Sequence, residues 1–236
     1  YYAMEYLDGI SLQDLVERYG PQPVGRVVSL LRQIGGSLYE AHTMGLVHRD
    51  IKPANIMLNR RGADPDVIKV LDFGLVKELD GAAAAGMAGT PLYMSPEAIQ
   101  QPGSVDARSD LYAVGAVGYY LLTGRTVFEA ESMNTLLQKH LQETPEPPSA
   151  ARGEKLPEEL DDAILACLDK NRAKRPQTAR DLVLRLDRVP ITDGWNVEKA
   201  DLWWNQHERG TAPLARRAGG GSPTVRSDQE ATIAHG

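Results

Sequence analysis

The spacing of apolar positions lays out most of this chain before any chemistry is considered. Val24, Val27, Val28, Leu31, Ile34, Leu38 and Ala41 recur three and four residues apart, which predicts an amphipathic helix over about residues 23–44. Between Asp106 and Thr123 the pattern changes. Leu111 through Leu122 is apolar on every side, and a helix with no polar face belongs inside a core. Asp110 is the exception there, because a carboxylate entering such a helix needs hydrogen-bond donors. Further helices are predicted from Ser132 to Gln142, along the stripe Leu160, Ala163, Ile164, Cys167 and Leu168, and along Leu182, Leu186 and Val189. Tyr1–Leu7 reads as a buried strand, Asp8-Gly9 as a turn, and Ser11 as the N-cap of a short helix. Ile56-Met57-Leu58 and Val67–Leu71 read as two short strands joined by Asn59-Arg60-Arg61-Gly62, and Glu143–Pro148 as a stiff loop.

Composition narrows the classes. The chain has 236 residues, 42% hydrophobic and 25% charged, with net charge −6, so nothing in it attracts nucleic acid or an anionic membrane. A single cysteine, Cys167, excludes an intrachain disulfide and suits a reducing compartment; its place on a helical stripe makes it a packing residue rather than a reactive thiol. No run of ~18 apolar residues occurs, so no membrane span is expected in this stretch. A cytoplasmic location follows as the expectation, with any membrane anchor outside these residues. The opening Tyr1-Tyr2-Ala3-Met4 lacks a basic leader and begins in mid-strand, which reads as a fragment.

The candidate chemistry lies in His48-Arg49-Asp50-Ile51-Lys52-Pro53-Ala54-Asn55 and the later Asp72-Phe73-Gly74. Phosphoryl transfer from ATP needs a carboxylate to orient a hydroxyl and take its proton, a cation on the migrating group, and oxygen ligands for magnesium. These two motifs, in this order, resemble the catalytic loop and metal-binding turn of protein kinases. The Ile51–Met57 wording and the Trp203-Trp204 extension are most similar to the bacterial eukaryotic-type serine/threonine branch. The resemblance implies an α+β protein-kinase-like fold, with a mainly α-helical C-lobe and a short β-hairpin around the active site. It makes Asp50 the base, Lys52 the phosphoryl cation, and Asn55 and Asp72 the Mg²⁺ ligands. ATP would lie against Met4, Glu5, Leu7 and Met57, although plain core packing explains Met57 equally well.

Supporting roles follow from the same resemblance. Phe73 packs behind Asp72, and Gly74 permits the turn. His48 is a packed structural residue rather than an acid-base group, while Arg49 would pair with a phosphate on the activation segment. Thr90 bonds near Asp50 and Lys52, Glu97 forms a buried ion pair with Arg175, and Asp110 accepts backbone N–H groups of the catalytic loop. Ser95-Pro96-Glu97 stands where the family has Ala-Pro-Glu.

The resemblance covers roughly residues 1–189, the hinge and C-lobe. Residues 190–210 form a Trp-rich helical extension whose indoles pack back onto the helical lobe, or else a docking surface. Residues 211–236 read as a flexible tail, in which Thr224, Ser227 and Thr232 are accessible hydroxyls open to autophosphorylation. No Gly-x-Gly-x-x-Gly or Val-Ala-x-Lys precedes the hinge, so these residues alone are expected to transfer little phosphate. Protein substrates bearing Ser or Thr are the implied partners. A non-catalytic scaffold lacking the nucleotide lobe is the alternative, which an intact Asp50, Lys52, Asn55 and Asp72 disfavour. A small-molecule phosphotransferase is disfavoured by Thr90, Ser95-Pro96-Glu97 and Arg175.

Between Asp72 and Gly89 there is no Ser, Thr or Tyr, leaving Arg49 without a phosphate partner in that stretch. Activation is therefore expected not to depend on phosphorylation there. Phosphopeptide mapping of active protein should find no required site in this segment; a modified and required Thr90 would overturn the expectation.

Overall fold

The computed structural model describes residues 8–71, 91–192 and 194–207. A three-stranded antiparallel sheet sits beside a larger set of helices. Strand β1 (Gly9–Ser11) pairs with β2 (Ile56–Arg61), which pairs in turn with β3 (Asp64–Val70). Gly9 lies in strand rather than in the expected turn. Its backbone approaches β2 so closely that an added Cβ would stand 2.4 Å from the Leu58 carbonyl oxygen, a contact only glycine permits. The predicted strand Tyr1–Leu7 lies outside the described residues.

The hairpin is longer than expected, and its turn falls at Gly62 (φ +62°) rather than across Asn59–Gly62. Asn59 is drawn into the ladder, opposite both Gly9 and Val67. Between the pairs Asn59↔Val67 and Arg61↔Asp64 the register shifts, so Pro65 and Asp66 together span Arg60. Asp66 adopts φ +57°, a region aspartate tolerates better than most residues. Its side chain is buried against Arg26 of α2 (Val24–Thr43), with Oδ1 2.7 Å from Nη2.

α1 (Leu12–Tyr19) starts at Ser11, whose hydroxyl accepts the Asp14 N–H at 3.0 Å. α2 packs its apolar stripe on β3, on α4 (Ala107–Thr123) and on α8 (Ala179–Leu186). Every residue of α4 from Ser109 to Thr123 is buried, as its unbroken apolar run requires. Gly115 and Gly118 let α7 (Glu158–Cys167) lie against it: Cβ atoms there would stand 2.6 Å from Cys167 Cβ and 2.5 Å from Ile164 Cδ1. Cys167 is fully buried, and burial pushes its thiol up to about 12, so it packs and does not react.

Two short helices were not legible in the apolar pattern. α3 (Pro96–Gln100) and α6 (Pro148–Arg152) each place proline at the first helical turn, where its missing N–H costs nothing. Pro148 thus opens a helix rather than closing a loop, and Gly153 (φ +71°) ends it. α5 (Met133–Gln142) and α8 follow expectation, the latter with a Thr178/Asp181 capping box. α9 (Val197–His207) packs back as expected, with Trp204 buried and Trp203 against the core, but its main contacts are with β3.

Gly115→Ala gains about 0.5–1 kcal/mol of helix propensity but drives a methyl into Cys167, at about 1–3 kcal/mol for overpacking. Net destabilisation of about 1 kcal/mol is expected in urea unfolding, and an unchanged midpoint would show that α7 can move aside.

Candidate active site

The candidate catalytic loop, residues 48–55, is held from behind by one carboxylate. Asp110, nearly fully buried in the first turn of α4, accepts the His48 N–H on Oδ2 at 2.8 Å and the Arg49 N–H on Oδ1 at 2.8 Å. His42 Nε2, from the last turn of α2, donates to Oδ2 at 2.9 Å. Arg49 itself is exposed with φ +66°, a conformation that needs such an anchor.

His48 is buried and ties the loop to the next strand. Its Nδ1 accepts the Asp50 N–H at 3.3 Å, which leaves the proton on Nε2 to donate to the Leu71 carbonyl at 2.7 Å. The Leu71 N–H donates in turn to the Asn55 carbonyl at 2.8 Å. Leu71, the residue before Asp72, is therefore fixed through both backbone groups.

The loop brings Asp50, Lys52 and Asn55 together. Lys52 Nζ donates to Asp50 Oδ2 at 2.7 Å, and Asn55 Nδ2 donates to the same oxygen at 3.0 Å and to the Asp50 carbonyl at 2.9 Å. Pro53–Asn55 forms a single 3₁₀ turn that presents the Asn55 side chain back toward Asp50. The Asp50 side chain stays 40% exposed, and Lys52 half-buried. Among the described residues neither Asp50 Oδ1 nor Asn55 Oδ1 receives a hydrogen bond. Met57 lies on β2, half-buried, opposite Ser11 and Lys69.

A second anchor lies at the start of α3. Arg175, fully buried, forms a two-pronged pair with Glu97, Nη1 to Oε1 at 2.7 Å and Nη2 to Oε2 at 2.8 Å. Its Nε donates to the Asp169 carbonyl at 2.7 Å, and its guanidinium lies 5.0 Å from the Tyr112 ring centre. Ser109 adds a hydrogen bond to Glu97 Oε1 at 2.5 Å, from a residue the motifs gave no reason to select. Burial alone would raise the Glu97 pKa, but the bonds from Arg175 and Ser109 outweigh it and hold the carboxyl at about 2. The serine departure has a use: the Ser95 hydroxyl caps α3 by accepting the Ala98 N–H at 3.3 Å, which alanine could not do.

Met4, Glu5, Leu7, Asp72, Phe73, Gly74 and Thr90 lie outside the described residues, as does the expected tail 211–236. Sequence reasoning also passed over His42 and the Arg26–Asp66 pair. A buried arginine has no local signature, since Arg26 reads as an ordinary polar position between Val24 and Val27.

Comparison with known proteins gives a consistent result. The family profile described as "Protein kinase domain" matches residues 1–184. The chain is 42% identical over 196 residues to the serine/threonine-protein kinase pkn3 of Myxococcus xanthus, covering 79% of this chain and 36% of that protein. It is 39% identical over 199 residues to the serine/threonine-protein kinase PknB of Mycobacterium tuberculosis, covering 82% and 30%. It thus spans about a third of the length of these relatives. Among solved structures, Rad53 1–466 in complex with AMP-PNP superposes with a TM-score of 0.63 at 28% identity, over 76% of this chain and 44% of that one. The PknI kinase domain of Mycobacterium tuberculosis superposes with a TM-score of 0.58 at 26% identity, over 78% and 63%.

The depressed Glu97 pKa has a pH consequence. The folded value lies below the unfolded one of 4.5, so the stabilisation is present above about pH 4.5 and is lost as pH falls through about 2. The stability difference between the natural protein and Glu97→Gln should shrink over that window in acid titrations of unfolding. A difference constant from pH 7 to pH 2 would contradict the pairing.

Proposed function

Because this chain belongs to the protein kinase family, and its relatives include bacterial serine/threonine-protein kinases, we propose that it supplies the catalytic loop for transfer of the ATP γ-phosphoryl group to Ser or Thr hydroxyls of protein substrates. The observation that carries this reading is the state of the Asp50 carboxylate. Oδ2 is engaged by Lys52 and Asn55, while Oδ1 receives no hydrogen bond among the described residues and the side chain remains open to solvent. A carboxylate oriented through one oxygen and open at the other suits a group that must accept a hydroxyl proton.

In the proposed step the acceptor hydroxyl oxygen bonds the γ-phosphorus as the bond from phosphorus to the ADP oxygen breaks, and the hydroxyl proton passes to Asp50 Oδ1. Lys52, 2.7 Å from Asp50, puts a positive charge beside the migrating group. Magnesium, when bound with ATP, neutralises phosphate charge. Asn55 fits a ligand role, since its amide nitrogen is committed twice to Asp50 and its oxygen receives no hydrogen bond among the described residues. Asp72 would be the second ligand, next in sequence to Leu71, whose backbone is held by His48 and Asn55. In the same reading Met4, Glu5, Leu7 and Met57 border the adenine, and Phe73, Gly74 and Thr90 shape the segment after Asp72. Residues 1–189 then form the kinase portion, 190–210 the Trp-rich extension and 211–236 the tail.

Asp50→Asn in the full-length gene product should lower phosphotransfer by roughly 10²–10⁴-fold, the usual worth of a positioned base. Its unfolding midpoint should stay nearly unchanged, because the side chain is 40% exposed. A radiolabel transfer assay showing undiminished turnover would remove Asp50 from the mechanism.

A further inference from the structure

All three tryptophans of the chain belong to one segment, and all three surround a buried ion pair that the proposed chemistry does not use. Arg26 is fully buried and Asp66 nearly so. Arg26 Nε and Nη2 donate to Asp66 Oδ2 and Oδ1 at 2.9 and 2.7 Å, and Nη1 donates to Gln22 Oε1 at 2.9 Å. Each carboxylate oxygen then takes a second donor from an indole: Trp195 Nε1 to Oδ2 at 2.9 Å, and Trp204 Nε1 to Oδ1 at 2.8 Å. The rings of Trp203 and Trp195 cover the guanidinium, their centres 4.0 and 4.6 Å from its carbon.

Both carboxylate oxygens thus carry a second donor, and the guanidinium its aromatic cover, only with residues 195–207 in place. Without them Asp66 would lose two of its four side-chain donors and Arg26 its aromatic cover. The same segment reaches two further elements, as Trp203 packs edge-on against Tyr19 of α1 at 5.1 Å and Asp201 pairs with Arg60 of β2 at 3.1 Å. It lies beyond the part of the chain that the family profile matches.

What the segment grips is connected to the candidate site. Arg26 stands in the first turn of α2, whose last turn carries His42 against Asp110. Asp66 stands on β3, which runs into Leu71, and its partner β2 begins immediately after Asn55. We infer that residues 195–207 are a docked latch that positions the β2–β3 hairpin against α2, and through the hairpin Asn55 and Leu71. The latch chemistry is specific: the Arg26–Asp66 site accepts aromatic N–H donors at the carboxylate and flat rings over the guanidinium. Its consequence for Asn55 rests on the kinase reading, whereas the docking itself does not.

Hydrogen exchange on the intact chain tests the latch without any activity measurement. Trp204→Phe keeps a ring in place and removes one donor to Asp66. Amides of residues 64–70 should exchange about tenfold faster, as expected when a buried acceptor loses its partner, while those of α4 and α7 stay unchanged. Acceleration confined to residues 195–207, or none at all, overturns the inference. If Trp204→Phe loosens the whole domain uniformly, the half-buried Trp195→Phe decides by the same criterion. In the full-length gene product, kcat should fall several-fold in the variant that passes, with KM for the protein substrate unchanged; equal kcat would overturn the link to Asn55. A natural protein with no phosphotransfer would instead count against the kinase reading and leave the exchange result to judge the latch.

Discussion

The rest of the site depends on Asp110, a carboxylate buried in the most apolar helix among the described residues. A lone ionised group there would be costly, so it must collect donors, and it does so from the catalytic loop and from His42. The benefit is mutual. The left-handed conformation at Arg49 costs of order 1–3 kcal/mol, and hydrogen bonds to a charged acceptor at roughly 1.5–3 kcal/mol each offset it. Helix α4 needs the loop to satisfy its carboxylate, and the loop needs α4 to hold its bend.

Two buried carboxylates and the largely buried Glu97 repeat this logic at different places. Asp110 joins α4 to the candidate catalytic loop, Glu97 joins the start of α3 to Arg175, and Asp66 joins β3 to α2 and α9. In each case the partners are far apart in sequence, and the hydrogen-bonding capacity is filled from more than one element. Apolar packing would hold these elements together with less directional restraint. Charge-assisted bonds also set orientation, which a site working at hydrogen-bond distances requires.

The candidate site inherits that precision from its backbone. Leu71 is tied by its N–H to Asn55 and by its carbonyl to His48, so two hydrogen bonds join the loop to the strand leading to Asp72. Asn55 spends its amide nitrogen on Asp50, which sets which side of the amide is available to a ligand. The side chains that would do chemistry are thus oriented by their neighbours rather than by burial, and Asp50 can remain open to solvent.

Much of this was legible in residue order. The periodicity of α2, the all-round apolarity of α4 and the spacing of Asp50, Lys52 and Asn55 are local patterns, because helical faces and loop geometry repeat over a few residues. Ser11 as a cap is equally local. Ser95, by contrast, was seen as a departure from a motif, and only the observed start of α3 gave its hydroxyl a task. Gly9 read as a turn because glycine is permissive; its reason lies across the sheet, at the Leu58 carbonyl. Arg26 and Asp66 each look like a surface residue in sequence, and Ser109 like an unremarked helix position. Their roles arise from contacts between elements forty or more residues apart, or from a partner brought alongside by folding. The sequence by itself determined the longer helices, the presence of the hairpin and the spacing that brings Asp50, Lys52 and Asn55 together, since these are short-range patterns. Tertiary structure alone decided which charges are buried and what holds them, because desolvation and its compensation exist only once distant segments meet.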